Sequence, residues 1–243
     1  MDALLEVRGL TRRFQGLVAV QQLSFSIAPG EILGLIGPNG AGKTTVVNMI
    51  SGTLPASEGD IVFQGQRINA LPTFRRGRLG IARTFQIMKP FPGMSVVDNV
   101  AVGALFGMSC EKSLARAREA AKGWLEYVEL PYRPGQRADE LGGPDRKRLE
   151  LAKALAMKPR LLLLDEVMAG LNSVEIDEVI GIVRKLRDSG ITLLVIEHVM
   201  KAIRNLSDRL LVLHHGEMIA EGEPEAVLGD AGVVEAYLGK RRH

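Results

Sequence analysis

The chain has 243 residues, of which 46% are hydrophobic and 24% are charged, an ordinary composition for a globular protein. Its single cysteine, Cys110, excludes an internal disulfide framework, and a net charge of +3 does not by itself indicate a nucleic-acid or membrane partner. The longest apolar runs, such as Leu161 to Leu164, are too short to span a bilayer. The first residues lack the pattern of a signal peptide, and the length predicts one large domain with an inserted lobe.

The first half of the chain predicts alternating strands and helices. A short apolar strand is expected from Glu31 to Gly37, followed by a glycine-rich stretch and a helix over TTVVNMIS. The segments GDIVFQG and GIARTFQ are typical of further strands. Helical character then runs from Lys112 to Leu130 and ends before Pro131.

The second half continues the same alternation. LLLLDE and ITLLVIE are typical of buried strands, and the apolar residues from Val174 to Leu186 recur at helical spacing. HVMKAIRNLS predicts a short helix, and RLLVLHHGEMIAEG predicts a hairpin that turns at His215-Gly216. Buried strands that alternate with helices indicate a mainly parallel sheet covered on both faces.

The strongest chemical motif lies directly after the first buried strand. Gly37-Pro38-Asn39-Gly40-Ala41-Gly42-Lys43-Thr44 fills every fixed position of the P-loop. Glycines there let backbone N–H groups surround phosphate oxygens at the N-terminus of a helix. Lys43 is then expected to reach the β- and γ-phosphates, and the Thr44 hydroxyl to hold Mg²⁺. A chance glycine-rich turn would match in roughly one chain in a hundred, so nucleotide binding is the stronger interpretation.

A later strand narrows the chemistry, because P-loops occur in kinases, GTPases and ATPases alike. The strand LLLLDE ends in two carboxylates, Asp165 and Glu166. Asp165 is expected to enter the Mg²⁺ shell, and Glu166 to polarise an attacking water. Surface strands also end in acidic residues, but the P-loop earlier in the chain favours the catalytic interpretation.

Further residues, in their order around these motifs, resemble the ATP-binding subunit of an ABC transporter over nearly the whole chain. Gln86 in ARTFQ resembles the Q-loop glutamine, which in that family senses Mg²⁺ and the membrane partner. His198 in VIEHVM resembles the switch histidine that contacts the γ-phosphate. Ala169-Gly170-Leu171-Asn172 resembles the D-loop. Each match is modest alone, but the shared order argues against coincidence.

The resemblance implies further nucleotide contacts and a fold. Phe14 would stack on adenine, Ala19 would lie near the ribose, and Thr45 would extend the P-loop contacts to ATP. The implied fold is α/β, a RecA-like P-loop NTPase core with an N-terminal antiparallel β region and an inserted α-helical lobe. The core is expected at about residues 1–94 and 159–243, and the lobe at about residues 95–158.

The segment LGGPDRKRLELAKAL falls where the family places its signature, commonly LSGGQ followed by a basic helix. Gly143 matches, whereas Gly142 replaces the serine, Pro144 the second glycine and Asp145 the glutamine. Gly142, Gly143 and Asp145 are nonetheless expected to face the γ-phosphate held by a second subunit. Because proline has no N–H and glycine has no hydroxyl, this signature is predicted to begin a helix normally but to hold ATP weakly.

Other stretches resemble the ATPases of importers for branched-chain amino acids, namely PFPGMSVVDNV, DEVMAGL, VIEHVMKAI and VVEAYLG. The expected partners are a second ABC ATPase subunit (identical or different), two membrane permeases and a periplasmic or extracellular solute-binding protein, without nucleic acid. The expected location is the cytoplasmic face of the membrane. Val167 departs from the proline usual after the catalytic glutamate.

Two alternatives stay open at this point. The same type of ATPase serves other cargo, such as urea, amides, aromatic acids or lipopolysaccharide. A nontransport ABC ATPase that acts on nucleic acid or ribosomes would suit the pI of 9.1. Such proteins usually carry two ATPase domains or a long coiled-coil insertion, and this sequence shows neither.

Three surface features complete the sequence-based expectations. The apolar residues among Ile87 to Met94 either dock a permease or fill the groove between core and lobe. The charges from Arg146 to Lys153 are interpreted as a solvated helix face. His214 and His215 are placed at a hairpin turn without a metal-binding role.

Overall fold

The computed structural model describes residues 2–85 and 90–238. Its strands are β1 (Leu5–Phe14), β2 (Leu17–Ile27), β3 (Ile32–Ile36), β4 (Glu58–Phe63), β5 (Gln66–Arg67), β6 (Ile81–Arg83), β7 (Leu161–Asp165), β8 (Thr192–Ile196), β9 (Arg209–His214) and β10 (Glu217–Gly222). Its helices are α1 (Lys43–Ser51), α2 (Thr73–Leu79), α3 (Val96–Phe106), α4 (Leu114–Tyr127), α5 (Gly143–Ala156), α6 (Ser173–Asp188), α7 (Met200–Leu206), α8 (Pro224–Leu228) and α9 (Ala231–Leu238).

A six-stranded sheet forms the centre of the molecule, in the order β10-β9-β3-β8-β7-β6. Every neighbouring pair is parallel except β9 and β10, which form the predicted antiparallel hairpin at one edge. All five residues of β3, of β7 and of β8 are buried, because helices and strands cover both faces of the sheet. The mainly parallel sheet predicted from the apolar runs is confirmed.

The two faces of the central sheet carry different layers. On one face, α1 and an antiparallel sheet of order β2-β1-β4-β5 enclose a core that includes Leu33 and Leu35 of β3. On the other face, Ile32 and Ile36 of the same strand belong to a core shared with α6, α7 and the helices α3 to α5. This arrangement confirms the expected P-loop NTPase fold with an antiparallel β region.

Helices α3, α4 and α5 lie between β6 and β7 in the sequence, and they pack together in one core. Side-chain caps define two of their starts, since Ser95 accepts a hydrogen bond from Asp98 N–H and Ser113 accepts one from Arg116 N–H. The helix predicted from Lys112 to Leu130 is α4. Within the described part of the chain, no helix is both long enough and apolar enough to cross a membrane.

The interpretation of the charged residues on α5 as a solvated face is wrong. Glu150 is only 5% exposed, and its carboxylate accepts a hydrogen bond from Lys153 at 2.7 Å. Arg148 pairs with Glu178 of α6, and its side chain is 18% exposed. The order of charges along α5 did not reveal these partners. They become neighbours only because α5 packs between the other helices and the core.

Candidate nucleotide-binding site

The P-loop joins β3 to α1. At two positions, its backbone conformation and close neighbours leave room only for glycine. Gly37 has φ +149°, and a Cβ there would lie 2.1 Å from the Leu213 carbonyl oxygen. Gly42 has φ +106°, and a Cβ there would lie 2.5 Å from the Ala19 carbonyl oxygen. The loop is therefore pressed against β9 and β2, and any side chain at these positions would force it out of place.

Helix α1 begins directly after Gly42, which provides no side-chain cap for the N–H groups of the first turn. No acidic residue lies in that turn either. These donors, with the positive end of the helix dipole, form the setting in which proteins bind phosphate.

Lys43 lies across the inside of the loop. Its Nζ donates hydrogen bonds to the carbonyl oxygens of Gly37 at 2.7 Å and Pro38 at 3.0 Å. Burial lowers the pKa of Lys43, and the charges of Glu166 and Asp165 oppose that shift. The ammonium group is thus held between the loop and two carboxylates, where an anionic phosphate would compete for it.

Asp165 ends β7 and is only 1% exposed. Its Oδ2 accepts a charged hydrogen bond from Arg83 of β6 at 3.2 Å. Its Oδ1 is buried and has no hydrogen-bond partner among the residues that the structure describes. Burial raises the pKa of Asp165, while Arg83 opposes the rise. A buried carboxylate oxygen left over in this way fits the oxygen ligands that Mg²⁺ prefers.

Glu166 and His198 meet at the carboxyl ends of adjacent parallel strands. Their parent strands pair there through Asp165 and Ile196, and the Glu166 N–H donates to the Ile196 carbonyl at 2.9 Å. Glu166 Oε1 and His198 Nε2 are 2.8 Å apart. The two side chains are 15% and 40% exposed, so both can reach solvent or a ligand at this edge. A carboxylate beside an imidazole is suited to activating a water molecule.

A cavity of about 390 Å³ brings several predicted residues together. Its walls are Leu17, Val18, Ala19, Asn39, Gly40, Ala41, Gly42, Lys43, Thr44, Thr45, Glu166 and His215. Phe14 is not part of this lining, and its ring lies under the Arg12 guanidinium at 4.5 Å. Gln86 lies outside the described residues.

His215 is a lining residue that the sequence analysis dismissed. It sits in the β9–β10 turn, and its neighbour Gly216 joins the P-loop to β2 through backbone hydrogen bonds. The Gly216 N–H donates to the Ala41 carbonyl at 3.0 Å, and its carbonyl accepts from the Gln21 N–H at 2.9 Å. The prediction of the hairpin turn was correct, but nothing in the local pattern revealed that the turn packs on the P-loop.

Arg83 and Glu197 were also missed. Arg83 binds Asp165 and also donates to Asn48 Oδ1 at 2.6 Å, so it ties the end of β7 to α1. Glu197 follows β8, is 1% exposed and accepts the Met168 N–H at 2.8 Å. Both residues stood inside the quoted motifs, and a charged residue within a buried strand segment is the feature that would have identified them.

Residues 142–145 lie apart from this cavity, at the start of α5. Gly142 caps the helix, Pro144 occupies its first turn and Asp145 follows there. A Cβ added to Gly142 or Gly143 would meet nothing within 4 Å. The prediction that proline allows a normal helix start is confirmed, and the two glycines face open space.

Comparisons with known proteins follow the same features. Residues 20–169 match the family model for ABC transporter, and residues 217–243 match the model for branched-chain amino acid ATP-binding cassette transporter. The chain is 38% identical over 250 residues to the high-affinity branched-chain amino acid transport ATP-binding protein LivG of Escherichia coli strain K12, covering 98% of each chain.

Two further matches mark the range of relatives. The lipopolysaccharide export system ATP-binding protein LptB of Acidithiobacillus ferridurans is 35% identical over 240 residues, again covering 98% of each chain. A solved structure, the ADP conformation of an ATP-binding cassette of an ABC transporter, matches with TM-score 0.87 and 32% identity. That match covers 99% of this chain and 100% of the other.

Proposed function

The chain belongs to the ABC transporter family and is an ATP-binding ATPase, and we propose that it powers an importer for branched-chain or other hydrophobic amino acids. One observation carries the enzymatic part: the P-loop, Lys43 and Glu166 line a single cavity, and His198 bonds to Glu166 at its edge. The cargo is supported by the match of residues 217–243 and by the likeness to LivG.

In the proposed reaction, the P-loop N–H groups and Lys43 hold the phosphates of ATP. Glu166 orients and polarises the attacking water, and His198 supports that carboxylate and contacts the γ-phosphate. Ala19 lines the same cavity as Glu166, and contact with the sugar is proposed for it. Phe14 remains proposed for adenine stacking, and its ring is 40% exposed although the Arg12 guanidinium lies over it.

Mg²⁺ fits the donor set that is present. The unpartnered Oδ1 of Asp165 and the hydroxyl of Thr44 would hold it, and Gln86 is proposed as a further ligand. When bound, the ion would neutralise phosphate charge during phosphoryl transfer. Arg83 holds the second carboxylate oxygen and so leaves the first one available.

The open start of α5 supports a proposed pairing with a second ABC ATPase subunit. Residues Gly142, Gly143 and Asp145 lie away from their own cavity and would face the nucleotide held by the other subunit. This second subunit is either a copy of the chain or a different ATPase. Such a pair would sit at the cytoplasmic face of a membrane, bound to two permeases that receive solute from a binding protein.

An exposed aromatic residue supports the proposed permease contact. Phe91 is 42% exposed, although the buried Asn99 holds its backbone through the Phe91 N–H at 2.7 Å and carbonyl at 3.2 Å. Lys153 Nζ lies 5.1 Å from the centre of the Phe91 ring, and the rest of the ring is open to solvent. A fixed backbone that presents a partly exposed ring is suited to docking. The neighbouring Ile87 and Met88, expected at the same contact, lie outside the described residues.

The cargo is tested by deleting the gene in its own organism and measuring uptake of labelled leucine, isoleucine and valine. Uptake should fall and return with the wild-type chain, but not with Glu166→Gln. Glu119→Gln, at a carboxylate that is 76% exposed on α4, is the matched control and should restore uptake fully. Normal uptake after deletion, with defective export of lipopolysaccharide, would instead assign the chain to the role named for LptB.

A further inference from the structure

The loop 167–172, which joins β7 to α6, is attached to the protein from two opposite sides. It follows Glu166 directly and carries the D-loop residues. On one side, the Met168 N–H donates to Glu197 Oε1 at 2.8 Å. On the other side, Lys147 Nζ donates to the carbonyl oxygen of the next residue, Ala169. Backbone groups of two consecutive residues are therefore held by a buried carboxyl group and an ammonium group.

The two side chains belong to parts of the site that act on different nucleotides. Glu197 immediately precedes His198, which contacts Glu166 in this subunit's own cavity. Lys147 lies on α5, three residues after Pro144, in the helix whose start is offered to the opposite subunit. Loop 167–172 thus contacts both α5, through Lys147, and the residue next to His198, through Glu197.

Only one oxygen of Glu197 is used in the fold, where it accepts the Met168 N–H. It is 1% exposed, and its second oxygen, Oε2, is buried without a hydrogen-bond partner among the residues described. Burying a carboxyl group with an unsatisfied oxygen is costly, so such a group is usually retained for function. Val167 adds no proline constraint to the loop, so the polar contacts of Met168 and Ala169 add to the burial of Val167 and Met168 in fixing its path.

Resting on the proposed ATPase function, we propose that Glu197 is a positioning residue that fixes loop 167–172 and, with Lys147, links the signature helix to the Glu166–His198 pair. Neither side chain touches the reacting atoms. Their role is to keep the backbone after Glu166 in the place from which that carboxylate orients water. Displacement of a catalytic group by about 1 Å can cost roughly a hundred-fold in rate, so the rate of hydrolysis should respond strongly.

Charge supports this geometry. Burial raises the pKa of Glu197 to about 7. The Met168 N–H, Lys147 and the His198 N–H act against that rise, whereas Glu166 adds to it. Burial lowers the pKa of Lys147, and Glu197, Glu166 and Glu175 oppose the shift. Glu197 and Lys147 thus favour each other's charged forms across the loop backbone.

The test compares Glu197→Ala and Glu197→Gln with the control Glu150→Gln. Glu150 is also buried, but it lies on α5 and bonds to Lys153 instead of loop 167–172. In Glu197→Ala, kcat for ATP should fall about ten-fold or more while the Kd for ATP changes less than about two-fold, because the P-loop is untouched. Glu197→Gln should recover kcat to within about three-fold, because its amide oxygen still accepts the Met168 N–H.

Amide hydrogen exchange over residues 166–172 provides a readout that needs no catalysis. Exchange there should accelerate at least about five-fold in Glu197→Ala and in Lys147→Met, and stay unchanged in Glu150→Gln. Equal exchange and kcat in Glu197→Ala and the control would overturn the positioning role. So would additive effects of Glu197→Ala and Lys147→Met on kcat, since two residues that fix one loop must couple. A wild-type chain that hydrolyses no ATP would refute the proposed function, while exchange would still decide whether Glu197 fixes the loop.

Discussion

The P-loop packs against two strands of the fold, whereas residues 142–144 are exposed at the start of α5. Backbone contacts to β2 and β9 enclose the loop, and Lys43 is held by two of its carbonyl groups. The signature segment has open space around its glycines and a proline in the first helical turn. In the proposed pairing, the P-loop provides one half of a nucleotide site, and residues 142–145 of another subunit provide the other half.

This difference indicates that nucleotide binding depends on the P-loop region and that association with a partner depends on residues 142–145. The enclosed half provides charge, N–H donors and the Glu166–His198 pair without any partner. The open half lacks two hydrogen-bond donors of the usual signature, because Gly142 has no hydroxyl and Pro144 has no N–H, but its helix begins normally. Substitutions in the enclosed half should consequently affect the chemistry strongly, and substitutions in the open half should affect association moderately.

The largest effect is expected from Glu166→Gln. The amide cannot act as a base toward water, so hydrolysis should slow by about 10²–10⁴-fold, while the Kd for ATP stays close to that of the wild type. Single-turnover hydrolysis and equilibrium ATP binding measure the two effects separately. Hydrolysis near the wild-type rate would remove Glu166 from this role.

Lys43→Ala should weaken ATP binding itself. The ammonium group is proposed to bond charged phosphate oxygens, and each such bond contributes about 1.5–3 kcal/mol, so the Kd should rise roughly 10–100-fold. Calorimetric titration with ATP measures it, and thermal unfolding without nucleotide serves as the folding control. An unchanged Kd in a folded protein would undermine the P-loop assignment.

Much of the enclosed half could be predicted from sequence because its features are local. Five-residue apolar runs predicted β3, β7 and β8, and the spacing of glycines predicted the loop between β3 and α1. Burial of a parallel strand on both faces leaves a continuous apolar run, and a P-loop needs glycine at fixed positions. The bounds of the helical lobe stay a prediction.

What sequence did not reveal depends on distant contacts. Helix α2 has no apolar periodicity, and its Arg76 is buried because it bonds the carbonyl groups of Met49 and Ile50 at the end of α1. His215 reaches the cavity only because its turn packs on the P-loop. The charges of α5 find partners on α6 and in loop 167–172. None of these contacts leaves a pattern within its own segment.

A pH dependence should appear at the boundary between the two halves. Burial raises the pKa of Glu197 from 4.5 to about 7, so between these pH values the folded carboxyl holds a proton that the unfolded one releases. The free energy of unfolding must then fall as pH rises through that window, and this group adds no further change above it. Relative to Glu197→Gln, the wild type should lose about 1–3 kcal/mol between pH 5 and pH 8.

Denaturant unfolding of both proteins across that range measures the difference. Glu150→Gln again serves as the control, because its carboxyl is also buried but pairs with Lys153. Parallel pH profiles for the wild type and Glu197→Gln would show that the Glu197 carboxyl has the same pKa in the folded and unfolded chains.

The smallest effect, and the one that bears most directly on the open half, is expected from restoring the signature with Gly142→Ser and Pro144→Gly. The serine adds a hydroxyl and the glycine adds an N–H, whereas Asp145 and the helix start are retained. One donor to a charged phosphate contributes about 1.5–3 kcal/mol, but losing proline at a compatible position costs about 0.4–1 kcal/mol.

ATP-driven dimerisation and turnover of the isolated subunit should therefore rise about ten-fold. Sedimentation with ATP in a Glu166→Gln background measures dimerisation, and phosphate release in the parent chain measures turnover. Gly142→Ser alone should give part of the gain, because it leaves the proline in place. No gain in either variant, with the fold intact, would mean that Gly143, Asp145 and the dipole of α5 already suffice to hold the opposing phosphate.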